Sequence, residues 1–270
     1  MKIQRDKEIM TEQVVIERRD GVHWITINRP ERRNAFHESV LENIRAAVLE
    51  ANDDPGARAI VLTGAGDKAF CAGADLKSDS EFASPVKPDV AAPNNPLTQL
   101  FRTFETCNLP IIARVNGHVL AGGMGLLCGC DLAIAVDTAR FGVPEVKVGL
   151  FPMMILGYML RLVPKRKLME ICMTGDPFTA QEALEMGLVN YVVPAAELDE
   201  KMDWLLGRIL AHSPTAIRHG KNAVHAVQDM PLMQAFAFAE ANVARMSMTE
   251  DAVEGFSAFQ EKRDPEWRGR

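Results

Sequence analysis

Hydrophobic and polar positions alternate along residues 14–19 and again along 22–28, with Asp20-Gly21 between the two runs. Asp-Gly accepts the positive φ angles of a tight turn, so this segment predicts a β-hairpin. Arg29-Pro30 ends the second strand, because proline brings no N–H to a ladder. The period then lengthens. Val40, Leu41, Ile44, Ala47, Val48 and Ala51 recur at helical spacing and predict a helix over 38–52 with one buried stripe. The β-rich run 59–63 follows, and strand–helix–strand order implies a parallel crossover. Residues 78–96 break the pattern with Pro85, Pro88, Pro93 and Pro96 and little periodicity, which predicts a mobile surface loop, with a substrate-gating role as one reading of it. A short apolar run at 111–115, stopped by Asn116-Gly117, reads as a buried strand. An apolar helical segment to about Cys130 and a strand over 131–136 come next. Beyond Pro152 the pattern is mostly helical, over 153–162, 166–173, 179–186, 198–211, 214–227, 231–248 and 249–262, with a short strand near 189–193. Thr179 followed by Glu182 has the spacing of a capping box. The first dozen residues read as a frayed lead-in.

Chemistry concentrates where two of these strands end. The run 59–63 is stopped by Gly64 and Gly66 and leads into Ala72, Gly73 and Ala74, where a helix is expected to begin. The run 111–115 leads into Gly122, Gly123 and Gly125. Small residues at a strand-to-helix passage let backbone approach a ligand and present free N–H groups to it. Two such ends side by side suit an oxyanion hole for a carbonyl that becomes an enolate, although two ordinary glycine turns have the same spacing. One acid stands out nearby. Glu145 sits between Pro144 and the apolar run 146–152, a setting for a buried acid/base group of raised pKa.

The segments FCAGADLK (70–77), VNGHVLAGGMG (115–125) and FGVPEVKVGLFP (141–152) resemble the crotonase (enoyl-CoA hydratase/isomerase) superfamily. With ITINRPERRNA (25–35) ahead and AFQEKR (258–263) behind, the resemblance runs in order over nearly the whole chain. It implies an α/β fold, a crotonase-type spiral of β-β-α turns over 13–200, with a C-terminal helical trimerisation region over 201–270. Periodicity alone points instead to a doubly wound α/β sheet. The resemblance further implies an acyl-CoA substrate, with coenzyme A entering as part of that substrate and no tightly bound cofactor. The backbone N–H groups of Ala74 and Gly122 would hold the thioester oxygen, and Glu145 would be the acid/base. Ala72, Lys77, Phe259 and Lys262 would lie beside the coenzyme A portion, the last two reaching it from a neighbouring subunit of a homotrimer or dimer of trimers. Ala121 stands where many relatives have glycine, and Asp75 would be structural, as a helix-start acid.

Hydratases of this family usually carry two glutamates, and the first, three residues after the hole glycine, is Gly125 here. The resemblance therefore implies hydration of a 2-enoyl-CoA with Glu145 as acid and base. A double-bond shift with Glu145 as proton shuttle is the alternative, as is a catalytically weak acyl-CoA binder. No carboxylate occurs from Val146 to Met169 to replace the missing one. Met153, Met154 and their neighbours are expected to serve core and acyl pocket together.

Composition narrows the class. Among 270 residues, 47% are hydrophobic and 24% charged, which suits a globular protein with a large core. A net charge of −6 and a pI of about 5.6 disfavour a nucleic-acid partner. No apolar run has the length of a bilayer span, and the first residues lack the apolar core of a secretory signal. Five cysteines in mostly apolar settings, without zinc-type spacing, read as reduced core residues of a cytoplasmic protein. No metal set is expected. His118 reads as a packed or capping group, and neither a nucleophile elbow nor a G-x-G-x-x-G run is present.

Overall fold

The computed structural model describes residues 13–76 and 95–270, and the backbone of 6–11. The hairpin forms as its alternation predicts: β2 (Val14–Arg19) and β3 (Val22–Ile27) pair antiparallel with Ile16 opposite Ile25, and Asp20 and Gly21 turn at φ 48° and 78°. Within the expected lead-in, the described residues are paired rather than frayed. Residues Asp6–Thr11 form β1, antiparallel to β2 at the sheet edge. An edge strand is held by its backbone ladder on one side and needs no apolar alternation to announce it.

Helix α1 (Glu38–Asp53) buries the six predicted apolar residues, and β4 (Ala59–Gly64) then pairs parallel to β3. All six residues of β4 are buried, which is why it reads as a continuous apolar run. Then come β5 (Ala69–Cys71), α2 (Pro96–Thr106), β6 (Ile111–Val115), β7 (His118–Leu120), α3 (Gly122–Cys128), β8 (Leu132–Val136) and β9 (Arg140–Gly142). Strands β3, β4, β6 and β8 are successive parallel neighbours in a seven-stranded sheet. The three-residue strands β5, β7 and β9 are parallel neighbours in a second sheet of four. The chain thus lays one strand in each sheet and then turns helical, once per repeat: the β-β-α spiral, and not a doubly wound sheet. After Gly73, Ala74 makes a single parallel bridge to Phe36, and a helix expected to begin by Lys77 would fall outside the described residues. The predicted loop lies, up to residue 94, outside the described residues.

A 3-10 turn (Pro144–Val148) and a second one (Met153–Ile155) lead into α4 (Leu156–Leu162) and α5 (Lys165–Thr174). Met153 and Met154 are exposed and so are not core; Met159 fills that role. Strands β10 (Phe178–Thr179) and β11 (Tyr191–Val193) flank α6 (Ala180–Glu185), where the predicted capping box forms in full. The remaining helices are α7 (Leu198–Leu210), α8 (Pro214–Val227), α9 (Leu232–Met246) and α10 (Glu250–Glu261). Lys221 of α8 reaches the start of β8, with its Nζ 2.8 Å from both Asp131 and the Leu109 carbonyl. Buried Asp251 of α10 accepts from Ser213 at 2.7 Å and from the N–H groups of Arg268 and Gly269, fixing α10 to the start of α8.

Candidate active site

Strands β5 and β7 are neighbours, so the residues that follow them meet. The N–H of Phe36 donates to the Gly73 carbonyl at 2.9 Å, and the N–H of Asp75 donates to the Phe36 carbonyl at 2.8 Å. In a parallel bridge these two bonds leave the intervening residue facing the other way. The N–H of Ala74 accordingly finds no acceptor among the described residues. Gly122 opens α3, and as a first-turn residue its N–H has no intrahelical acceptor either. Gly73 brings the two segments together. A Cβ there would stand 3.0 Å from the Gly122 nitrogen and 2.8 Å from the Ala121 side chain. Gly122 itself packs under Phe36, whose ring would lie 2.6 Å from a Cβ at that position. Two unengaged N–H groups therefore sit on adjoining segments, held close by the absence of side chains.

Two buried asparagines brace the loop that leads to Ala72. Asn34 donates to the carbonyls of Ala65 and Ala69 at 2.9 and 2.6 Å and accepts from Arg29 N–H at 3.0 Å. Asn116 donates to the Gly66 carbonyl at 2.8 Å and accepts from Gly64 N–H at 3.2 Å. The sequence marked Asn116 only as the turn that stops an apolar strand and gave no signal for Asn34, which follows the 3-10 turn at Pro30–Arg32. Asp75 forms an ion pair with Arg29 at 2.8 Å, while the residues that would follow it in a helix, from 77 on, lie outside the described residues. Arg29 also donates to the Ala35 carbonyl, so one guanidinium ties both sides of the bridge.

The acid arrives from the neighbouring ladder. Leu120 of β7 is level with Gly142 of β9, and Ala121 N–H donates to the Gly142 carbonyl at 2.9 Å. Three residues beyond Gly142 stands Glu145, in the 3-10 turn that packs against α5. Its side chain is half-buried, and Oε2 is fully buried without a hydrogen-bond partner. Burial raises the Glu145 pKa above the usual carboxylate range, and its charge adds to the burial that pushes up the thiol of nearby Cys172. No described ion pair involves it. A buried carboxylate oxygen left unpartnered is costly unless it has chemistry to do.

Gly125 lies one turn past Gly122. A Cβ there would be 2.5 Å from Phe101 Cζ and 2.6 Å from Ile155 Cγ2, so hydrocarbon occupies the space a side chain at 125 would need. Among the other predicted residues, Ala72 is half-buried and its N–H donates to the Arg33 carbonyl at 3.1 Å. Lys77 lies outside the described residues. Phe259 is 83% exposed on α10, and Lys262 ends that helix at φ 56°; no described hydrogen bond or ion pair joins either to the hole. His118 is exposed and accepts from Arg140 N–H at 3.1 Å, a capping role. A surface cavity of about 400 Å³ is lined by Arg33, Asp67, Lys68, Gly117, His118 and Thr138, mostly at the starts of β5, β7 and β9 rather than at the ends where the hole lies. Among the described residues no three His, Cys, Asp or Glu side chains gather as metal ligands, and no helix is long and apolar enough to cross a membrane. All five cysteines are free.

The model of the enoyl-CoA hydratase/isomerase family matches residues 17–270. Among solved structures, an enoyl-CoA hydratase of Mycobacterium smegmatis is 34% identical, with 94% of this chain and 98% of that one covered and a TM-score of 0.87. One of Bacillus anthracis is 31% identical over 96% of this chain and 100% of its own, with a TM-score of 0.88. An enoyl-CoA hydratase/isomerase of Mycobacterium paratuberculosis is also 31% identical, covering 97% and 100%, with a TM-score of 0.83.

Proposed function

This chain belongs to the enoyl-CoA hydratase/isomerase family, and on that premise we propose that it acts on enoyl-CoA thioesters by moving a proton between carbons, with Glu145 as its one acid/base. The thioester oxygen would rest against the N–H groups of Ala74 and Gly122. Glu145 removes a proton from C2 of a 3-enoyl thioester, and the electron pair passes into the dienolate, whose oxygen those N–H groups stabilise. The protonated carboxyl then returns the proton to C4, leaving the double bond at C2–C3. Each donor of such a hole is worth roughly 3–4 kcal/mol at the transition state. A raised pKa suits a group that must take a proton and return it near neutral pH.

The observation that carries this reading is the buried, unpartnered Oε2 of Glu145 beside a site in which hydrocarbon fills the space a side chain at 125 would need. Syn hydration divides two duties, hydroxide to one carbon and a proton to the next, and one carboxylate would have to perform both. Hydration of a 2-enoyl-CoA, which the sequence puts first, is the second reading; it is favoured by the enoyl-CoA hydratases among the solved relatives. Ala72, whose N–H is held by the Arg33 carbonyl, would lie beside the coenzyme A portion. Lys77, Phe259 and Lys262 complete the proposed coenzyme A contacts.

The test is spectrophotometric. With a 3-enoyl-CoA the conjugated enoyl thioester absorbance should grow, and with crotonyl-CoA it should fall slowly or not at all. Rapid loss with crotonyl-CoA and no gain with the 3-enoyl substrate would establish hydration instead. No change with either, despite thioester binding, would leave a binder.

A further inference from the structure

Phe101 comes from α2, a different turn of the spiral from α3, yet its ring ends beside Gly125. In a helix the Cβ leans toward the N-terminus, and residues three apart share a face. A side chain at position 125 would therefore lean toward Gly122 and whatever its N–H holds. Phe101 Cζ and Ile155 Cγ2 stand in that space, and the two residues are only 8% and 2% exposed. The ring is fixed in turn. Tyr158 of α4 meets it edge-on at 5.0 Å between centroids and 73° between planes, and the Tyr158 hydroxyl donates to the Phe101 carbonyl at 3.2 Å.

We infer that Phe101, positioned by Tyr158, is the specificity-determining residue that keeps water and a second acid away from the enoyl chain. This deepens the reading above and rests on it. Adding water across C2–C3 requires a water molecule held at C3, and such a water needs polar partners. A phenyl edge and an isoleucine methyl offer none. The proton shift through Glu145 needs no water, so the same hydrocarbon wall leaves it untouched. The glycine at 125 suits the wall: a larger residue there would require the ring or Ile155 to move.

The experiment compares rates on crotonyl-CoA and on a 3-enoyl-CoA for Phe101→Ala, Tyr158→Phe, Gly125→Glu and the double variant Phe101→Ala/Gly125→Glu. The double variant Phe101→Ala/Gly125→Glu opens the space and puts a polar partner in it, so it should raise the hydration-to-isomerisation ratio by roughly tenfold or more, the scale on which small changes in a pocket discriminate. Phe101→Ala alone leaves an apolar space and should move the ratio less, and Tyr158→Phe, which keeps the ring edge and loses only the hydroxyl, least. Gly125→Glu alone should melt well below the wild type, and adding Phe101→Ala should restore part of the loss. A folded double variant with an unchanged ratio would overturn the inference, as would a Gly125→Glu protein as stable as the wild type. Failure of the underlying reading looks different. The wild type would then fail to isomerise the 3-enoyl substrate, whereas the melting of Gly125→Glu with and without Phe101→Ala would still report whether the ring fills the space.

Discussion

Glu145 carries a charge whose cost is set by burial, and that cost makes two effects separable. Glu145→Gln removes the proton-transfer group and should lower turnover by at least about a hundredfold while thioester binding persists. It should also stabilise the protein at neutral pH. The folded chain holds the Glu145 proton more tightly than the unfolded chain, because burial raises the pKa. A contribution of that kind is full below the unfolded pKa and lost as pH rises through the folded one. The glutamine variant lacks this loss, so its advantage should appear above the ordinary glutamate value and vanish in acid; thermal melts from acid to neutral pH check it. Wild-type activity should rise with pH through the same raised pKa, since the base is the ionised form. A second residue stores strain. Ala121 sits at φ 49° and ψ −127°, just before Gly122, in a region natural only for glycine. Such a residue costs on the order of 1–3 kcal/mol, and glycine's freedom in the unfolded chain returns about 0.4–1 kcal/mol of any relief. Ala121→Gly should therefore raise stability by about 1 kcal/mol, read as a higher urea midpoint at an unchanged slope.

Elements were legible in proportion to their length and to how local their causes are. In the α6 capping box, Glu182 N–H donates to Thr179 Oγ1 at 3.1 Å, and Thr179 N–H donates to Glu182 at 2.7 Å. Thr179→Ala should cost about 1 kcal/mol in denaturant unfolding, with less lost in Glu182→Ala, which leaves the threonine cap intact. That box was readable because both partners lie within four residues. The hairpin, α1, β4 and β6 were readable because each spans enough positions to display a period. Strands β5, β7 and β9 have three residues each, too few to show one, and their ladders run to strands tens of residues away. The spiral was visible only through resemblance, since a parallel strand order leaves the same local pattern in a spiral and in a doubly wound sheet. Of the candidate site, Gly73, Gly122 and Glu145 were marked by residue type and setting. The occupant of the space at Gly125 was not. Phe101 lies 24 positions earlier in the numbering, on α2, a helix that the sequence pattern did not single out.

At the scale of the whole molecule, α9 has fifteen residues and none is buried, while Leu232, Met233, Phe236 and Val243 stand exposed. Val224 of α8 and Val253, Phe256 and Phe259 of α10 add to the apolar surface of the helices that follow residue 200. Isolated apolar side chains on a surface are ordinary, but a whole helix with no buried residue, packed in its own chain chiefly against α8, has little burial there to offset the cost of its order. Burial against copies of the same chain supplies that at about 25 cal/mol for each Å² of apolar surface covered. Self-association is therefore expected, and we propose the homotrimer or dimer of trimers that the family resemblance implies; sedimentation showing a monomer at micromolar concentration would count decisively against it. The assembly also bears on the site. Phe259 and Lys262 close α10, and α10 is fastened to α8 through Asp251, so these two groups point outward from their own subunit's helices. If they contact coenzyme A across a subunit boundary, breaking the assembly should weaken thioester binding even though the change touches no site residue. Phe236→Asp together with Val243→Asp on α9 is the appropriate variant: it should dissociate the assembly and raise the Kd for a non-reactive acyl-CoA, while far-ultraviolet circular dichroism keeps the helical signal. A dissociated variant that binds the thioester as tightly as the wild type would remove Phe259 and Lys262 from the site and confine coenzyme A recognition to the subunit that holds Glu145.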